Sequence, residues 1–184
     1  LKKKEIAVAR FDTARLVLRP FESKDATGLL EILSHPRATC FADDRLDTIE
    51  EAAADVERRS ANMLEFAVCL KEQDAIIGVM FAAKEEPDNY SVGWQLNARY
   101  EGMGYAYEAA TAFFDVLFAQ RGARRVYAYV DNNNIRSQKL CERLCMRKEG
   151  LFMEYISFVN NADGTPRYEN TCIYAVLKKE WDAA

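Results

Sequence analysis

Apolar and polar positions repeat with two different periods along this chain, and the changes of period divide it into elements. Residues 14–21, "ARLVLRPF", set Leu16 and Leu18 against Val17 and Arg19, which predicts a strand ended by Pro20. Ser23 is placed to cap a helix running to about His35, with Leu29, Leu30, Ile32 and Leu33 apolar and Pro36 as its stop. Thr48 and Glu51 form a capping-box pattern that opens a second helix, to about residue 61. Apolar runs at 64–70 and 75–84 flank the polar turn 71–74 as a hairpin, and "YSVGWQLN", 90–97, adds a strand after the acidic loop 85–89.

Tyr105, Ala109, Ala112, Phe113, Val116 and Leu117 recur at three- and four-residue steps, predicting a helix over 104–120. "RRVYAYVD", 124–131, alternates as a strand, and 134–146 is amphipathic, with Leu140, Cys141 and Leu144 on one stripe. Residues 151–159 and 168–177 close the chain as a hairpin around the turn 160–164. Strand, helix and strand over 90–131 make a βαβ unit. With no linker, repeat or low-complexity segment, the pattern predicts one α+β domain over residues 1–184, the first twelve being a flexible basic tail.

At 184 residues, with 49% apolar and 11% aromatic side chains, the chain can build a sizeable core. No apolar run reaches the roughly 20 residues of a membrane span, and Leu1-Lys2-Lys3-Lys4 leads into no signal-type block. A cytoplasmic protein with no membrane partner is expected. The 25 basic and 29 acidic side chains leave a net charge of −4, which argues against a nucleic-acid partner and accommodates a cationic one. Five cysteines without a C-x-x-C, and a single histidine, His35, predict neither a metal site nor a disulfide framework.

Gly102 and Gly104 stand just ahead of the helix at 104, after a strand. Glycine permits close backbone approach, and a helix start offers unpaired N–H groups and the positive end of its dipole, so this turn is a candidate anion cradle. A Rossmann reading needs a third glycine where Tyr107 stands, and a Walker loop needs a G-K-[ST] that is absent.

The segment Arg99-Tyr100-Glu101-Gly102-Met103-Gly104-Tyr105-Ala106 resembles the [Q/R]-x-x-G-x-[G/A] signature of the GNAT superfamily of N-acetyltransferases. Residues 134–146, "NIRSQKLCERLCM", resemble that family's N-x-x-S-x-x-L-Y-E-K-L-G-F segment at the expected distance downstream. The likeness extends over most of the chain, from "TARLVLRPF" to "DGTPRYENTCIYAVLKKEW", and is similar to the RimJ/RimL-type branch. It implies a GNAT-type acyltransferase fold, with a mixed, largely antiparallel sheet flanked by helices around a central βαβ acetyl-CoA unit.

The implied reaction is direct attack by a neutral amine on the thioester of acetyl-CoA, without a metal. The resemblance implies a protein N-terminal amine as acceptor, with a polyamine or aminoglycoside as the enzyme alternative. A non-catalytic acyl-CoA-binding sensor is the alternative of another class. The assembly is expected to be a monomer or homodimer.

By the same resemblance, main-chain groups of Gln95, Leu96 and Asn97 border the acyl group. Gly102, Met103, Gly104, Tyr105 and Ala106 hold the pyrophosphate, and Asn134 contacts the pantetheine arm. Arg99, Arg136 and Lys139 are candidates for phosphate countercharge, with Arg143 beside them. Many relatives place a tyrosine, as general acid, where Cys141 stands, so Ser137 becomes the preferred proton donor and Cys141 the lesser one. The glutamate that relatives often carry as base falls at Ser91, so Glu154, Asp43, Asp44 and Glu51 are left as candidates.

Overall fold

Eight strands build one mixed sheet in the computed structural model, which describes residues 10–183. They are β1 (Phe11–Asp12), β2 (Leu16–Arg19), β3 (Glu65–Leu70), β4 (Ala75–Glu85), β5 (Asn89–Leu96), β6 (Arg125–Asp131), β7 (Arg147–Asn160) and β8 (Pro166–Leu177). Their order across the sheet is β1-β2-β3-β4-β5-β6-β8-β7, and only β5 and β6 run parallel. The helix α3 (Tyr105–Ala119) makes the crossover between those two strands, as the βαβ reading expects. The expected tail lies outside the described residues at 1–9, and at its end Phe11 and Asp12 instead pair with Leu18 and Val17.

Each face of the sheet carries a helical layer. On one face α1 (Ala26–Leu33) and α2 (Ile49–Ser60) pack through Leu29, Leu33 and Val56 onto Ala67, Cys69 and Val79. On the other, α3 packs through Phe113 and Leu117 into a core with Phe66, Val68 and Met80, and α4 (Ile135–Arg143) lies against α3 and β6, with Leu140 in the same core. Each such side chain stabilises the fold by roughly 1.5–3 kcal/mol relative to exposure.

Covering both faces explains why β2 departs from the alternation expected of it: Leu16, Val17, Leu18 and Arg19 are all buried. Arg19 is buried as one partner of a bidentate pair with Asp25, at 2.7 and 2.8 Å. Asp25 also accepts the Glu22 N–H at 2.8 Å. That pair shapes a 3-10 turn at Ser23–Asp25, so Asp25 rather than Ser23 organises the start of α1. The capping box of α2 is present, with Glu51 N–H on Thr48 Oγ1 and Thr48 N–H on Glu51 Oε2, both at 3.2 Å.

α4 ends sooner than its apolar stripe suggests. Cys145 takes φ +56°, a left-handed conformation at the position the resembled motif fills with glycine, and the chain turns there into β7. A short α5 (Lys178–Trp181) follows β8.

Candidate active site

β5 and β6 share only three pairs, Asn89 with Arg125, Tyr90 with Val126 and Ser91 with Tyr127. Beyond Ser91, β5 stays on β4 as far as Leu96, whereas β6 stays on β8 as far as Asp131. The sheet therefore opens into a wedge. On β4 the register skips Ile77 between the pairs Cys69 with Ile76 and Val68 with Gly78, a bulge beside the end of β5. A Cβ at Gly78 would meet Gln95 O at 2.7 Å and Leu96 Cγ at 2.9 Å, so glycine is what allows β5 to end this close to β4. The Asn97 N–H donates to Ile77 O at 2.8 Å.

The glycine turn follows. Gly102 and Gly104 take φ +76° and +81°, the left-handed region in which a side chain is strained. Nothing lies within 4 Å of a Cβ built on Gly102, so the turn borders open space. Gly104 caps α3, whose first N–H groups have no carbonyl of their own helix to bond.

The turn is anchored from β2's side of the sheet. Arg15 donates from Nη1 to Met103 O at 2.9 Å and from Nε to Glu108 Oε2 at 2.7 Å, with its guanidinium 4.5 Å from the Tyr105 ring centre. Glu108 also accepts from Thr13 Oγ1 at 2.6 Å and from the Arg15 N–H at 2.8 Å. Burial pushes the Glu108 carboxyl up, but these donors outweigh it and hold it below its ordinary value.

A cleft of about 770 Å³ occupies the wedge and the space above the turn, a volume suited to a cofactor-sized ligand. Gln95, Leu96 and Asn97 line it, as do the turn from Gly102 to Ala106 and, on α4's side, Asn134, Arg136, Ser137 and Lys139. Asn134 Oδ1 accepts the Ser137 N–H at 3.1 Å, a helix N-cap that fixes where Ser137 stands. Trp94 Nε1 donates to Ser137 Oγ at 3.2 Å, joining β5 to α4 across the wedge.

The acetyltransferase (GNAT) domain model matches residues 15–147, a span that holds the splayed strands, the glycine turn and α4. The chain belongs to the GNAT family. An N-acetyltransferase of Bacillus subtilis, YnaD, itself uncharacterized, is 31% identical over 172 residues, covering 92% of this chain and 98% of that protein. A crystal structure of a GNAT-family acetyltransferase from Bacillus anthracis superposes with a TM-score of 0.83 at 27% identity, covering 93% and 99% of the two chains. The ribosomal-protein-S5-alanine acetyltransferase of Vibrio fischeri shares the fold, with a TM-score of 0.70 at 21% identity over 94% and 98%. The chain is thus an acetyltransferase with the mixed, mostly antiparallel GNAT sheet, and its fold is one that binds acetyl-CoA.

The GNAT cleft fits that ligand. Its open left-handed glycine turn and helix start suit a pyrophosphate, and Arg136, Lys139 and Arg143 stand on its α4 wall. Arg143 is partly engaged, 4.4 Å from the Tyr107 ring centre. Among the described residues, no group of three His, Cys, Asp or Glu could hold a metal, and no helix is long and apolar enough to cross a membrane.

Two expected site residues sit elsewhere. Cys141 is fully buried and belongs to the core beneath α4, its thiol pushed up to about 12 by burial, so it forms no wall of the cleft. Arg99 pairs with Glu31 of α1 at 3.2 Å rather than lining the cleft. The candidate bases are also outside it: Glu51 caps α2, Glu154 is exposed on β7, and Asp43 and Asp44 are absent from its walls. Burial raises the Asp44 carboxyl.

Sequence reasoning passed over Arg15, Glu108, Arg37 and Glu101. Glu108 carried one legible signal, an acidic side chain in the first turn of a helix. The partners of the others come from distant parts of the sequence, Arg136 for Glu101, Glu101 for Arg37 and Met103 for Arg15, and no local pattern announces such contacts.

Proposed function

We propose that the chain moves the acetyl group of acetyl-CoA directly to a protein N-terminal amine, with Ser137 as the proton donor to the departing thiolate. The observation that carries this reading is the hydrogen bond from Trp94 to Ser137. Because the indole N–H is a donor only, Ser137 Oγ must accept there, which leaves its own proton to be given to another group. The bond also withdraws charge from the oxygen, favouring proton release.

When bound, acetyl-CoA supplies an acyl thioester. The chain positions it with main-chain groups. The Asn97 N–H is committed to Ile77 O on the β4 side, so by the alternation of a strand the Leu96 N–H faces the opening instead. Leu96 is therefore the donor assigned to the acyl oxygen, an oxyanion-hole role in which backbone direction counts and side-chain identity does not. Gly102, Met103, Gly104, Tyr105 and Ala106 cradle the phosphates, with Arg136 and Lys139 as countercharge, and Asn134 contacts the pantetheine arm.

For the acceptor, support comes from the resemblance to the RimJ/RimL-type branch and from the fold shared with the Vibrio fischeri ribosomal-protein-S5-alanine acetyltransferase. The test is thiol release from acetyl-CoA over a panel of peptide N-termini, polyamines and aminoglycosides. Release with peptides and not with the small amines supports the reading, and the reverse replaces the acceptor.

A further inference from the structure

Two ion pairs tie the α1 side of the cleft to the glycine turn. Glu31 on α1 pairs with Arg99 at 3.2 Å, and Arg37, beyond α1, pairs with Glu101 Oε2 at 2.7 Å. The other oxygen of Glu101 is held by Arg136, in the first turn of α4. One carboxylate, immediately before Gly102, therefore occupies two guanidinium groups of the same cleft.

The Arg37 hydrogen bond foremost, against a small cost of desolvation, keeps the Glu101 carboxyl below its ordinary value, with Arg136 adding to it. The side chains of Arg37, Glu101 and Arg136 are 43%, 39% and 69% exposed, so these are weak pairs that exchange readily. Each guanidinium is held by one oxygen of the shared carboxylate, whereas a phosphate can engage the same fork through two.

We propose that Glu101 is an internal counter-anion for the cleft and that Arg37, released from it, is a phosphate-binding residue for the donor. The proposal rests on reading the cleft's ligand as acetyl-CoA. Donor binding exchanges the Glu101 carboxylate for ligand phosphate on Arg37 and Arg136, and so brings the wall at residue 37 onto the donor. Spent CoA carries the same phosphates. A carboxylate that competes for both guanidinium groups therefore limits how tightly the product is retained.

The test is calorimetric titration of the full chain with CoA, comparing wild type with Glu101→Gln, Arg37→Gln, Arg37→Lys and the Arg37→Gln/Glu101→Gln double variant. Folding is checked by circular dichroism. Removing the competitor should tighten CoA binding by roughly 3- to 10-fold at low salt and make it more salt-dependent. Arg37→Gln should weaken binding by a similar factor, Arg37→Lys by less, and the gain from Glu101→Gln should shrink in the double variant.

CoA affinity that is unchanged or weaker in Glu101→Gln, or unchanged in Arg37→Gln, overturns the proposal. So does a Glu101→Gln effect confined to the acceptor KM. Wild-type protein that binds no CoA overturns the acetyl-CoA reading and the proposal together, whereas wild-type binding that ignores these variants overturns the proposal alone.

Discussion

Trp94 Nε1 and Ser137 Oγ lie 3.2 Å apart, joined by a hydrogen bond that links β5 to α4 across the wedge. The two residues are 43 positions apart, and each owes its place to a different cause. Trp94 follows from the divergence of β5 from β6, Ser137 from the Asn134 cap.

If that bond turns the hydroxyl proton toward the thiolate, Trp94→Phe should lower kcat by about 10-fold and leave the acetyl-CoA KM nearly unchanged. Ser137→Ala should lower kcat by roughly 100-fold. The double variant should be no slower than Ser137→Ala, because both changes act through one hydroxyl. Steady-state thiol release at saturating acceptor checks all three.

Cys141→Ala is expected to behave differently. The side chain is fully buried in the α3–α4 core, so the substitution should cost about 1–2 kcal/mol in urea unfolding while kcat stays within about threefold of wild type. A large kcat loss in a folded Cys141→Ala protein would return the acid role to the thiol.

The sequence made the fold legible wherever one period held for several residues. The hairpin of β3 and β4, the crossover helix α3 and the α2 capping box are local patterns, and each stands where the alternation or cap placed it. Legibility failed where distant partners decide. Arg19 reads as the polar side of a strand, yet Asp25 and the α1–α2 layer bury it. Arg99 meets Glu31 of α1, 68 residues away, a contact no local pattern announces. The positions of Gly102, Gly104, Asn134 and Ser137 were legible because their chemistry is local to a helix start. The anchoring by Arg15 and Trp94 was not, because it depends on which strands meet.

Gly104→Val places a β-branched side chain at φ +81°. The strain should cost about 1–2 kcal/mol of stability, and the added bulk should obstruct backbone approach to the pyrophosphate. Calorimetry should show acetyl-CoA binding at least about 10-fold weaker in the folded variant. Unchanged affinity would remove the turn from the binding site.

Glu108 predicts an acid-dependent stability. Its folded carboxyl sits below the ordinary value of 4.5, so its contribution is full above that value and is lost as pH falls through the lower, folded one. Wild type should exceed Glu108→Gln by about 1 kcal/mol at neutral pH. The two should converge in acid, as followed by urea unfolding across pH.

The most direct measurement is acceptor-dependent release of CoA from acetyl-CoA by wild type and Ser137→Ala, with the product located by mass spectrometry. The account predicts thiol release that requires a peptide, one acetyl group on the peptide's N-terminal nitrogen, and loss of most of the rate in Ser137→Ala. Stabilisation of the fold by acetyl-CoA with no thiol release from any amine would contradict it, and so would full activity in Ser137→Ala.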